Sequence, residues 1–218
     1  MESKCKGLAD IGFIVDSSGS LFTEYVKEKA FLKDMAKEFK ISKTGFHAGV
    51  VIFSQVAQLR IKFSDFVSTS SYIDAVDNLP LLGGTTRIDR GLNTAFKDLF
   101  SSANGMRPAV PKVAILLTDG EQTQDSDSVS PYDAVQAFHA ANIKVIVIGV
   151  GSKVNKEELS RIVKSKKDLY FARDFDQLMS KAFVENITLA SCLEPGEFQV
   201  LSASLTSRNA IYDATLIP

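Results

Sequence analysis

Apolar positions along the chain follow two rhythms, short continuous runs and longer stretches with helical spacing. Residues 9 to 15 form an apolar run that passes directly into Asp16-Ser17-Ser18-Gly19-Ser20, after which Tyr25, Leu32, Met35, Ala36 and Phe39 share one helical face. This predicts strand, turn, helix. GFHAGVVIFS (45–54) and VAQLRIKF (56–63) have almost nothing between them, so they predict a hairpin with one antiparallel strand. STSSYIDAVDNL reads as a short helix, LLGGTT as a glycine-rich turn, and RIDRGLNTAFKDLF as a helix with Ile88, Leu92, Phe96 and Leu99 on one face. KVAILLTD has the character of a central strand. The alternation then repeats: helix at 131–141, strand at 143–150, helix at 155–164, strand at 169–172 and helix at 174–188.

Continuous apolar strands separated by amphipathic helices predict an α/β fold: a doubly wound, mostly parallel sheet with one antiparallel edge strand and helices on both faces. After Cys192 two strand-like runs follow with no helix between them. The expected organisation is therefore one domain over residues 1–192, with 193–218 a C-terminal extension or the start of a neighbouring module.

Composition narrows the partners. The formal charge is −1, from 25 basic and 26 acidic residues, which gives no electrostatic footprint for nucleic acid. No run approaches the ~18 apolar residues that span a bilayer, so direct membrane insertion is not expected. The two cysteines, Cys5 and Cys192, stand near the two ends of the periodic region. Their placement suggests a clasp, which the chain-entropy model values at roughly 5 kcal/mol; two unpaired buried thiols are the alternative. Asn186-Ile187-Thr188 is a glycosylation triplet, which adds a little to an extracellular reading.

Ligands of open parallel sheets bind beyond the carboxyl ends of the strands, where strand order reverses. Three polar clusters fall at such ends: Asp16-Ser17-Ser18-Gly19-Ser20, Gly83-Gly84-Thr85-Thr86 and Thr118-Asp119-Gly120. They hold two carboxylates and several hydroxyls but no histidine or cysteine. A soft or borderline metal is disfavoured, whereas a hard ion such as magnesium suits them. Ser18, Ser20 and Thr86 are neutral donors, and Asp16 and Asp119 supply charge directly or through water. With so few anionic ligands the ion stays electropositive and would attract a carboxylate from outside. Each hydroxyl has a plainer reading: Ser18, Ser20 and Thr86 as helix caps, Asp119-Gly120 as a turn.

Taken together, Asp16-x-Ser18-x-Ser20, Gly-Gly-x-Thr ending at Thr86 and Thr118-Asp119-Gly120 resemble the metal-ion-dependent adhesion site, or MIDAS, of von Willebrand factor A domains. The resemblance implies the Rossmann-like fold of that family. It also implies that Ser18, Ser20 and Thr86 bind magnesium through their hydroxyls, with manganese or calcium as possible substitutes, while Asp16 and Asp119 act mainly through bridging waters. Thr86 would begin the following helix. The flanking cysteine pair resembles extracellular members. The expected role is a non-enzymatic adhesion module, secreted or on a cell-surface ectodomain. Its expected partner is an extracellular protein, such as collagen or another matrix protein, bound through an Asp or Glu carboxylate. A magnesium-dependent phosphatase-like enzyme using Asp16 as nucleophile and an intracellular assembly scaffold are the alternatives. His47 and His139 are expected to be structural or exposed, and the run Glu121 to Asp127 to be a solvated loop that could rim the site.

Overall fold

The structure is a computed structural model that describes residues 8–192. The expected extension at 193–218 and Cys5 lie outside the described residues. Among the described residues six strands form one sheet: β1 (Asp10–Asp16), β2 (His47–Phe53), β3 (Ala57–Ile61), β4 (Lys112–Thr118), β5 (Lys144–Val150) and β6 (Leu169–Ala172). Their order is β3-β2-β1-β4-β5-β6, and every neighbouring pair is parallel except the β2–β3 hairpin. This is the doubly wound mixed sheet that the apolar pattern predicted.

The α-helices among the described residues cover the two faces: α1 (Tyr25–Phe39), α2 (Thr69–Asp77), α3 (Ile88–Thr94), α4 (Pro131–Ala140), α5 (Lys156–Ser160), α6 (Phe175–Leu178) and α7 (Lys181–Ser191). All seven residues of β1 are buried, because helices lie on both sides of it. Alternation divides them: Ile11, Phe13 and Val15 join the core under α1, α2 and α7, and Ile14 joins the core under α3, α4 and α5. Gly12 falls on the α3 side, where a Cβ would stand 2.6 Å from the Phe100 ring. Only glycine lets that ring, at the end of the π-helical turn Ala95–Leu99, lie directly on the strand.

Three elements depart from expectation. The helix expected at 174–188 is two helices: Ser180 takes an extended backbone and its side chain accepts a hydrogen bond from the Phe183 N–H, capping α7. The apolar spacing runs across this break, so periodicity alone does not reveal it. The helix expected at 155–164 is shorter, with α5 ending at Ser160. Thr86 does not begin α3; Arg87 holds the N-cap position and Ile88 starts the helix. No helix among the described residues is long and apolar enough to cross a membrane.

Candidate metal centre

The sheet order reverses between β1 and β4, so the loops leaving their carboxyl ends diverge and open a crevice. Asp16 ends β1 and Asp119 follows β4, one on each side of it. Asp16 is fully buried. One carboxylate oxygen accepts from the Ser18 backbone N–H at 2.9 Å and the other from the Thr118 hydroxyl at 2.7 Å. Burial pushes its pKa up to about 6 against the opposing hydrogen bonds from Thr118 and Ser18, and the charge of Asp119 adds to the rise. Asp119 is also raised by burial, opposed by its hydrogen bond from Ser20 and by Lys153.

The hydroxyls of Ser18 and Ser20 lie 3.1 Å apart, and Ser20 donates to Asp119 across the crevice at 2.9 Å. Neither is a helix cap. A short 3-10 turn, Gly19–Leu21, follows β1 with no side-chain bond from Ser18 at its N-cap, and α1 starts only at Tyr25. Thr86 comes to the same place from the third loop. A Cβ on Gly120 would stand 3.4 Å from the Thr86 hydroxyl, which therefore lies against the loop that follows Asp119. The Thr86 backbone is tied there from both sides: its N–H donates to the Thr123 hydroxyl at 3.2 Å and its carbonyl accepts from the Thr123 N–H at 2.8 Å.

Backbone hydrogen bonds hold the loops in register. Gly83 N–H donates to the Ser17 carbonyl, and Gly19 N–H to the Gly84 carbonyl, both at 2.9 Å. Gly83 and Gly84 have φ of 72° and 82°, a left-handed backbone that side chains rarely adopt, so the double glycine makes this closure possible. Ser17, an unassigned position of the motif, uses its hydroxyl to donate to the Pro80 carbonyl and to accept from the Leu82 N–H.

A second network lies behind Thr86. The buried Arg87 guanidinium makes a two-pronged pair with buried Asp89, at 2.9 and 2.8 Å, and also reaches Asp125 and Asp127. Gln122 donates to Asp89 at 2.7 Å, and the Val129 N–H donates to it at 3.0 Å. Burial raises the Asp89 carboxyl, but the bonds from Arg87, Gln122 and Val129 outweigh it and lower its pKa to about 2. The run from Glu121 to Asp127 is a largely exposed loop, as expected, in which Gln122 is buried and Asp125 and Asp127 pair with Arg87.

The structure brings Asp16, Ser18, Ser20, Thr86 and Asp119 together at one edge of the sheet. The donors are all oxygen, and among the described residues no group of three or more His, Cys, Asp and Glu forms a metal cage. That chemistry fits a hard divalent cation held mainly by hydroxyls. His47 lies at the opposite end of β2 with Nε2 3.2 Å from the Lys43 carbonyl, and His139 contacts the Ile162 carbonyl at 3.0 Å, so neither joins the site. Asn186 is exposed on α7, whereas Thr188 of the same triplet is buried and donates to the Val184 carbonyl. Sequence reasoning missed Glu28, a fully buried acid on α1. The available signal was an acid in the apolar stripe between Tyr25 and Leu32.

A doubly wound sheet carrying an oxygen-donor pocket at its switch point defines a class, and comparison with known proteins gives the family. The von Willebrand factor type A domain model matches residues 10–184, and the chain belongs to that family. It is 33% identical over 180 residues to the collagen alpha-6(VI) chain of Mus musculus, covering 81% of this chain and 8% of that protein. Integrin alpha-M of Mus musculus is 30% identical over 154 residues, covering 70% of this chain and 13% of that protein. Among solved structures, proximal thread matrix protein 1 from the mussel byssus superimposes with a TM-score of 0.78 at 30% identity, covering 88% of this chain and 48% of that one. A further structure of that protein, with zinc occupying its MIDAS motif, gives a TM-score of 0.77 at 30% identity, over 88% of this chain and 47% of that one. The chain thus spans less than half the length of each of these relatives.

Proposed function

We propose that this domain is an extracellular adhesion module that binds a protein ligand through a divalent cation, magnesium in the first place, with manganese or calcium as substitutes. Ser18, Ser20 and Thr86 would hold the ion through their hydroxyls, and Asp16 and Asp119 would balance its charge, mainly through water. The bound ion supplies a Lewis-acidic point for an Asp or Glu carboxylate of the partner, collagen or another matrix protein. The observation that carries this reading is the convergence of three hydroxyl side chains and only two carboxylates at the β1–β4 crevice. Such a set leaves a divalent ion under-neutralised.

Family membership and the names of the relatives, among them an integrin, a collagen and a thread matrix protein, support the extracellular setting. The same reading has Cys5 bridged to Cys192, with Asn186 as a candidate glycosylation site. It treats the domain as non-enzymatic. Both oxygens of Asp16 already accept hydrogen bonds from Ser18 and Thr118, an arrangement suited to holding a pocket in shape rather than to nucleophilic attack.

The test is solid-phase binding to a panel of matrix proteins, collagens included, in magnesium and in chelator. Binding should occur in magnesium, vanish in chelator, and be lost in Asp119→Ala with the circular dichroism spectrum unchanged. Equal binding with and without chelator removes the cation from the mechanism.

A further inference from the structure

We propose that Glu28, a buried carboxylate outside the set of five site residues, strengthens divalent-cation binding in the pocket through its negative charge. This rests on the cation reading of the pocket given above. Glu28 lies early in α1 and is fully buried, and neither of its carboxylate oxygens receives a hydrogen bond. Leu32 and Met35, further along α1, and Leu21, in the turn that precedes it, are all buried in the apolar core. A buried carboxylate without a donor is costly, and buried acids are ordinarily paired.

Glu28 stands in the first turn of α1, the helix that follows the Ser18–Ser20 loop, and the charges of Asp16 and Asp119 act on it. Helical side chains lean back toward the helix N-terminus, and for Glu28 that direction leads toward the loop following β1. Tyr25, one turn earlier, is also buried, and it feels the charges of Glu28, Arg60 and Asp16. A buried acid with no donor, in the first turn of the helix that follows the Ser18–Ser20 loop, is explained by a cation in the pocket. Glu28 does not form a three-carboxylate cage with Asp16 and Asp119, so it acts through its charge rather than as a ligand. Burial, followed by the charges of Asp16 and Asp119, pushes its carboxyl well above the usual range.

The consequence is an exchange between two affinities. A third buried charge draws the cation in more strongly and leaves less positive charge for a partner carboxylate.

The experiment is isothermal titration calorimetry of magnesium into the full chain, native, Glu28→Gln and Glu28→Met. Glutamine keeps the shape and removes the charge; methionine matches the apolar neighbours and guards against a glutamine that packs badly. Both variants should bind magnesium about 10- to 100-fold more weakly, the usual consequence of losing a group that supports a metal site from behind its ligands. In chelator both should melt at or above the native temperature. Magnesium binding by the variants as tight as by the native chain, or a lower melting temperature of both in chelator, overturns the role of Glu28 alone. No magnesium binding by the native chain overturns the cation reading and this inference with it.

Discussion

At the residue scale, the pocket depends on which groups satisfy Asp16. Its two oxygens are fully buried and accept from the Ser18 N–H and the Thr118 hydroxyl, so each donor offsets part of the cost of a buried carboxylate. Thr118→Val keeps the side-chain shape and removes one donor. It should destabilise the chelated protein by about 1–3 kcal/mol, the cost of leaving a buried polar group unsatisfied, measured by urea denaturation. It should also raise the Asp16 pKa further, since the lost bond is one that lowers it. The five candidate residues stand out in the sequence because polar clusters follow two apolar strands and a double glycine precedes Thr86. Thr118 was legible only as a neighbour of Asp119. Its bond to Asp16 spans 102 residues, and no local pattern encodes it. Glu28 was passed over for a related reason: a single acid in a helical stripe reads as an imperfection until its surroundings are known.

At the element scale, the strands and most helices follow from apolar periodicity, because the sheet is buried on both faces and each helix on one. The failures occur where a polar side chain overrides a continuous apolar pattern. Ser180 is the clearest case, with Leu178, Phe183, Val184 and Ile187 all buried on either side of a break that the serine itself creates. Its side chain caps α7, which packs against α1. Ser180→Ala should cost about 1 kcal/mol of global stability, and Ser180→Asp should restore most of it, since both Ser and Asp are good caps and a carboxylate favours a helix N-terminus. Equal stability of the native and alanine proteins in guanidinium denaturation counts against the cap. The double glycine at 83–84 is the opposite case, where a turn signal in the sequence and a left-handed backbone in the structure agree.

At the scale of the whole molecule, the pocket is assembled from loops that leave different parts of the sheet, and the Arg87 network ties two of them together. Arg87 and Asp89 belong to the start of α3, whereas Gln122, Asp125 and Asp127 belong to the loop after β4. Thr86 is fixed between these two segments, so this network supports the pocket without lining it. The pairing was not legible beforehand: a solvated acidic run gives no sign of a basic partner more than thirty residues away, and Arg87 gives no sign in sequence that it will be buried. The pairing has a consequence for global stability. The Asp89 carboxyl titrates near 2 in the folded state, below its unfolded value of 3.8, so the folded protein binds fewer protons between those values. Its contribution is therefore fully present above about pH 4 and is lost as pH falls toward 2. A shift of this size corresponds to roughly 2 kcal/mol. Asp89→Asn should lower stability by about that amount at pH 6 to 7, and the difference from the native protein should shrink steadily as the denaturation series is carried from pH 4 down to pH 2. A difference independent of pH across that range would mean that the shape of Asp89, not its charge, holds the two loops together.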